Sequence, residues 1–291
     1  MSLLTPLLRL CYYRDVQTDQ KWGHLRSLLA DMKMAVIAFS GGVDSALLLR
    51  AAAEVLGQNV LAVTAVSATY SPGELDHAKA YAGSLGIRHR IIPSAELDLE
   101  EFVRNAPDRC YHCKRDLFGL LKRVAESEGI SFVLDGSNAD DCRDYRPGRK
   151  AAEELGVRSP LGDVGLTKAE IRDLARAFGM PMWNKPSLAC LSSRIPYGTR
   201  ITPELLRTVD AAEDIVRKAG VRQVRVRHHG DTARIEVAPG EFASLMNGDV
   251  QRRIVREIKE LGYTYVCLDL EGYRTGSMNE ILASEQKTRA V

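Results

Sequence analysis

No apolar run in this 291-residue chain approaches the roughly 18 residues that a membrane-crossing helix needs, so no membrane partner is expected. The apolar stretch over 3–10 is short, broken by Pro6 and Arg9, and lacks a small-residue cleavage site, which argues against a signal peptide. Excess charge is scarce too. Lys and Arg number 40 against 38 Asp and Glu, a net +2 that is too small for a surface coating nucleic acid but compatible with a local basic pocket. Six cysteines in a chain this long do not make a secreted disulfide scaffold; they signify thiol chemistry, a metal or ordinary core. The G-x-x-x-x-G-K-[ST] of the ordinary P-loop is absent, and with it the lysine that reaches the β- and γ-phosphates there. No internal repeat or low-complexity tract is evident. With 27% charged and 45% hydrophobic residues, the expectation is a soluble cytoplasmic protein of one large or two ordinary domains.

What is present centres on Ser40-Gly41-Gly42-Val43-Asp44-Ser45, set between an apolar run over 34–39 and a helical run over 46–56. A strand enters, two glycines permit a tight turn, and a helix leaves. The first-turn amides of that helix have no partner within it, and the positive end of its dipole points at the same spot, which is how a phosphate is held. Ser40 and Ser45 add hydroxyls; Asp44 either carries Mg²⁺ or caps the helix.

Strand-like runs at 34–39, 60–66, 87–93 and 132–134 alternate with helical runs at 46–56, 75–85 and 110–126. This predicts an α/β fold with a parallel sheet and helices on both faces, and ligands at the carboxyl ends of the strands. Ser71 and Thr167 are expected to cap helices, the latter in a capping box with Glu170. Residues 179–202 hold no period, and a loop that long is functional or a linker. Thr202 then caps a helix to about Ala219, and 221–228 and 232–237 read as a hairpin around Gly230-Asp231. We place the first domain at 1–198, with 1–20 as an extension, and a smaller α+β domain at 199–291.

Cys110 and Cys113 lie at i and i+3 at a helix start. Either they extend a buried stripe with Leu117, Leu121 and Val124, or the helix terminus lowers their pKa and aims two sulfurs at one centre. Cys190 lies in the proline-rich loop beside Lys185 and Arg194, a poor place for core and a good one for a thiolate. Three thiols suit zinc with a fourth ligand such as His112 or Cys142, or a [4Fe–4S] cluster with one open iron. Cys11, Cys142 and Cys267 are read as structural. Asp135 to Asp141 emerge on the same sheet edge as the turn; they hold Mg²⁺ or read the nucleotide, or form a plain Asx-rich loop. On the hairpin, Arg225, Arg227, Arg234 and Glu236 share one face, by default a solvated one, otherwise an anion site. His228, His229 and Asp231 belong to an exposed turn.

S-G-G-V-D-S resembles the PP-loop of the ATP pyrophosphatases, an adenine nucleotide alpha hydrolase-like fold that splits ATP between the α- and β-phosphates. The resemblance implies that Ala38, Phe39, Ser40, Gly41, Gly42, Val43, Asp44, Ser45, Gly136 and Asn138 hold ATP with Mg²⁺. Together with P-D-R-C-Y-H-C-K at 107–114, C-L-S-S-R-I-P-Y-G at 190–198, R-V-R-H-H-G-D at 225–231, and the stretches 135–141 and 272–280, the chain resembles the LarE family, sulfur transferases of nickel-pincer nucleotide synthesis. The family adenylylates the carboxylates of pyridinium-3,5-biscarboxylic acid mononucleotide and replaces oxygen by sulfur. By that resemblance Cys190, Cys110, Cys113 and Asp44 are catalytic, and Arg194, Arg225, Arg227 and Asp231 bind substrate. The same resemblance puts a [4Fe–4S] cluster on Cys110, Cys113 and Cys190, the alternative being sacrifice of Cys190 alone, and implies a homo-oligomer. An NAD synthetase-like ligase, a tRNA thiolase and a nucleotide sensor that never turns over remain as rivals.

Overall fold

The computed structural model describes residues 16–70, 72–143, 147–186, 190–274, 276–280 and 282; Cys11 and the Ser71 cap lie outside them. After helix α1 (Val16–Ala30) the chain runs β1 (Ala35–Ala38), α2 (Val43–Leu56), β2 (Val60–Val66), α3 (Pro72–Ser84), β3 (Arg88–Pro93), α4 (Glu100–Val103), α5 (Arg109–Ser127) and β4 (Val133–Leu134). Strand–helix alternation produces the predicted result. The four strands form one parallel sheet in the order β3-β2-β1-β4, with Ile37 beside Ala62 and Leu134.

The period-2 geometry of β1 sends Ala35 and Ile37 to one face and Val36 to the other. On the first face Leu25, Leu29, Leu47, Leu49, Ile171 and Leu174 complete the core; on the second Phe118, Leu121 and Val124 of α5 do so. Both faces are covered, which is why β1 and β2 are apolar almost throughout.

Three helices follow: α6 (Pro147–Glu154), α7 (Pro160–Asp163) and α8 (Lys168–Ala177). Thr167 and Glu170 close the capping box at α8 from both sides. Among the described residues, the irregular stretch after α8 contains only a 3-10 turn at Leu191–Arg194 before α9 (Pro203–Arg217), which Thr202 caps by accepting from the Leu205 amide. The hairpin is β5 (Val224–His229) and β6 (Thr232–Val237), antiparallel with Val226 opposite Ile235. Beyond α10 (Phe242–Leu245) and α11 (Gly248–Glu260), β7 (Tyr265–Leu268) joins β6 in parallel. Among the described residues no helix is long and apolar enough to cross a membrane.

A smaller core joins what the sequence separates. Phe102 and Val103 of α4, Leu191 and Ile195 of the irregular stretch, and Ile201, Leu206 and Val209 leading into α9 form one buried cluster, with Cys113 packed against it.

Candidate active site

At the carboxyl end of β1 the Phe39 amide closes the ladder on the Val63 carbonyl at 2.9 Å, and the chain turns. Gly41 takes φ 75°, a value only glycine adopts without strain, and Gly42 in extended conformation caps α2. No side chain caps this helix, so its first-turn amides keep their opening. Of the two roles expected for Asp44, capping is therefore not the one the structure shows. Ser45 donates to the Gly42 carbonyl at 3.1 Å and accepts from the Ser40 amide at 3.3 Å, which fixes both hydroxyls inside the turn. Tyr70 donates to the Ser40 carbonyl at 2.8 Å; burial, with Glu74 beside it, pushes its phenol up to about 12, so it stays a donor. Ala38 is the last residue of β1, while the Phe39 ring is buried in the core, leaving only its backbone at the turn.

The loop after β4 lies against this turn. Gly136 packs so closely that a Cβ there would stand 2.8 Å from the Ser45 amide nitrogen. Asn138 is buried and donates to Asp44 at 3.3 Å, while its own oxygen accepts from the Asp140 amide at 3.0 Å. The loop is thus both an Asx turn and a neighbour of the phosphate turn. Asp135 faces inward, accepting from the Ser137 and Ser159 hydroxyls at 2.7 Å each. The second oxygen of Asp44 receives the ammonium of Lys168, whose amide donates to Asp140 at 2.8 Å. The sequence shows Lys168 only as the residue after a helix cap; its role depends on α8 starting beside α2. Lys185 forms a second pair with Glu74 of α3.

The thiols come from two directions. Cys110 and Cys113 lie in the first two turns of α5, Cys110 exposed and Cys113 half-buried; Cys190, also exposed, precedes the Leu191–Arg194 turn. Burial pushes the Cys113 thiol far up, and the neighbouring Cys190 adds to this, with Glu96 and Cys110 contributing further and Lys114 opposing. Cys110 and Cys190 thus each lie near enough to Cys113 to raise it further. As thiolates they repel each other, so a soft cation would favour all three together. Among the described residues, no group of three His, Cys, Asp or Glu is assembled at metal-binding range. The donor chemistry fits a sulfur-ligated iron or zinc centre. His112, considered as a fourth ligand, pairs its Nε2 with Asp108 at 3.2 Å. Cys142 lies on the Ala139–Arg143 turn, and Cys267, expected as structural, is exposed on β7 next to Arg234 of β6.

The hairpin departs from expectation most. Most of its charged face is not solvated: Arg225 and Arg227 are 6% and 4% exposed and Glu236 0%, while Arg234 is only half-buried. Two segments cover it, the turn after Cys190 and the one carrying Ser277. Arg227 donates to the Ser193 carbonyl at 3.0 Å, to Glu236 at 2.7 Å and to the Ser277 hydroxyl at 3.0 Å. Arg194 grips Glu213 of α9 through two nitrogens at 2.7 and 3.1 Å and reaches the Cys190 carbonyl at 3.1 Å. Burial would raise the Glu213 carboxyl, but Arg194, with Arg225 and Arg217, outweighs this and holds it below its ordinary value. Burial and Arg194 together lower Arg225. Three buried guanidiniums, Arg194, Arg225 and Arg227, thus lie among two buried carboxylates, Glu213 and Glu236. Asp231 stands apart at the exposed hairpin turn, bonded to the Thr232 hydroxyl at 3.3 Å.

The chain matches the family model described as Asparagine synthase over residues 26–174, the stretch holding the sheet, the phosphate turn and Lys168. It is 42% identical to an uncharacterized protein of Synechocystis sp., over 91% of this chain and 98% of that one. It is 39% identical to the pyridinium-3,5-bisthiocarboxylic acid mononucleotide synthase of Lactiplantibacillus plantarum, over 90% and 95%. The NH(3)-dependent NAD(+) synthetase of Chlorobaculum tepidum is 32% identical, but over 54% of this chain and 57% of its own.

Proposed function

Because the chain belongs to the family of PP-loop ATP-using enzymes that includes pyridinium-3,5-bisthiocarboxylic acid mononucleotide synthase, we propose that it is an ATP-dependent sulfur transferase acting on the carboxylates of a pyridinium mononucleotide. The observation that carries this is one cationic segment, 190–194, shared by two sites. Its first residue is a thiol beside Cys113, and its last is an arginine on the buried hairpin face. In this reading the substrate phosphate is held beside Arg194 with its carboxylate toward nucleotide and sulfur.

In this reading the turn amides, Ser40, Ser45 and Lys168 hold the β- and γ-phosphates, and Asp44 with Asn138 holds Mg²⁺. A substrate carboxylate oxygen attacks the α-phosphorus, and pyrophosphate leaves. The weak leaving oxygen has become AMP, and a soft sulfur nucleophile then adds to the acyl carbon and expels it. Cys110, Cys113 and Cys190 would hold an iron–sulfur cluster, which supplies a transferable sulfide when bound. Arg194, Arg225 and Arg227 would be the side chains nearest the substrate phosphate, which guanidinium binds bidentately.

Incubation with Mg²⁺-ATP and the dicarboxylate mononucleotide should yield AMP and pyrophosphate in equal amounts; formation of ADP would refute the assignment. In Cys190→Ala, pyrophosphate formation should persist while thiocarboxylate is lost. ATP-dependent amide formation that survives loss of all three thiols would instead favour an amide-forming ligase.

A further inference from the structure

Asn105 is wholly buried, at 0% exposure, yet its backbone lies at φ 58°, in the left-handed region where asparagine is the best tolerated residue after glycine. Its side-chain amide is aimed across the chain at the irregular segment that follows Cys190. Nδ2 donates to the Pro196 carbonyl at 2.8 Å, Thr199 at 3.0 Å and Ile195 at 3.3 Å. Its Oδ1 accepts from the Arg109 guanidinium, and the same Arg109 nitrogen donates to the Ser192 carbonyl at 3.0 Å. The guanidinium also stands 5.7 Å over the Tyr197 ring, and the Asn105 carbonyl accepts from the Gly198 amide at 3.0 Å.

A segment with little regular structure must find partners for those of its backbone carbonyls that turn inward, or each one costs about 1–3 kcal/mol. Four carbonyls of 192–199 find theirs on Asn105 and Arg109. Arg109 is the first residue of α5, one position before Cys110. The two halves of the thiol trio are therefore joined by one small polar device, with Cys110 and Cys113 on its helix side and Cys190 two residues before Ser192.

We propose that Asn105 and Arg109 are positioning residues that dock the Cys190 segment onto the start of α5 and so set the spacing of the three thiols. The inference rests on the sulfur-transfer reading only for its purpose, since the docking itself is a matter of these contacts. Neither residue belongs to the phosphate turn or to the buried hairpin face. Asparagine suits the position because it combines a left-handed backbone, two donor hydrogens and an acceptor on a short stem. Aspartate keeps the shape but loses the donors; glycine keeps the backbone but loses the clasp.

The test uses the full chain and Cd²⁺ as a soft probe, read by thiolate-to-metal absorption, alongside pyrophosphate release from ATP and the dicarboxylate. Wild type should show a Cd²⁺ signal that disappears in Cys110→Ala, Cys113→Ala and Cys190→Ala. Asn105→Gly and Asn105→Asp should weaken that binding by about 10–100-fold, the range for groups that orient ligands, with pyrophosphate formation unchanged. Arg109→Lys, the milder variant if the Asn105 changes prevent accumulation, should show the same split. Unaltered Cd²⁺ affinity in the variants, or parallel loss of both readouts, overturns the docking proposal. A wild type lacking the thiol-dependent signal does so as well. A wild type with the signal but no AMP or pyrophosphate sinks the functional reading and leaves the docking intact.

Discussion

Asp44 on the second residue of α2 has one oxygen on Asn138 and the other on Lys168, so the charge nearest the phosphate turn is neutralised by a side chain from a different helix. A triphosphate entering the turn competes with Asp44 for that ammonium. Lys168→Ala should therefore reduce pyrophosphate formation by about 10²–10³-fold, the usual effect of removing a preorganised donor from developing charge, as steady-state assay would show. At Gly136 the argument is steric. The methyl of Gly136→Ala would meet the Ser45 backbone at 2.8 and 3.0 Å, atoms that cannot swing aside. Overpacking of this kind costs about 1–3 kcal/mol, and because the shift falls on the turn itself, ATP affinity should drop with stability. Denaturant titration and ATP binding check the two halves. The sequence pointed to the turn because glycine and serine there have direct conformational meaning. Lys168 and Asn105 were not legible, since each depends on a partner 124 or about 90 positions away.

At the level of elements, caps and periodicity were good guides where the physics is local. The Thr167–Glu170 box and the Thr202 cap formed as read, and β1 to β4 appeared within a residue or two of their apolar runs. The hairpin formed too, yet its charged face was misjudged, because alternation reveals two faces and not which of them another segment will cover. Thr167→Ala should cost about 1 kcal/mol and also loosen the start of α8, where Lys168 sits. Burial would raise the Glu170 carboxyl, but Lys21 and the Thr167 bonds outweigh it, so its folded pKa lies below the ordinary 4.5. A lowered carboxylate stabilises the fold above its unfolded pKa and loses that contribution as pH falls through the folded value. Weakening the box should therefore flatten the acid side of the stability profile, seen by thermal melts from neutral pH downward.

Across the whole molecule, composition shifts near residue 198 suggest two units, while the packing ties them together. The cluster of Phe102, Val103, Leu191, Ile195, Ile201, Leu206 and Val209 is continuous through that point, and Arg194–Glu213 and Arg227–Ser193 cross it with charge. Both tryptophans, Trp22 and Trp183, lie in the first part, so their fluorescence follows that part, while circular dichroism gives a second signal spanning both. The unfolding transitions in urea seen by the two signals should coincide, because neither part keeps its inner surface covered without the other. Glu213 is the residue on which this coupling turns, with Arg194, Arg217 and the Val226 amide all bonded to it. Glu213→Ala removes the buried carboxylate that Arg194, Arg217 and the Val226 amide share and should lower stability by about 3–5 kcal/mol, moving both transitions together. With its pKa held low by Arg194, the wild-type carboxylate contributes above its unfolded pKa and ceases to do so as acid carries it through the folded value. The gap between wild type and variant should thus be widest near neutral pH and close as pH falls. Two separated transitions in the wild type, or a gap independent of pH, would mean that the halves fold alone and that this ion cluster serves substrate rather than architecture.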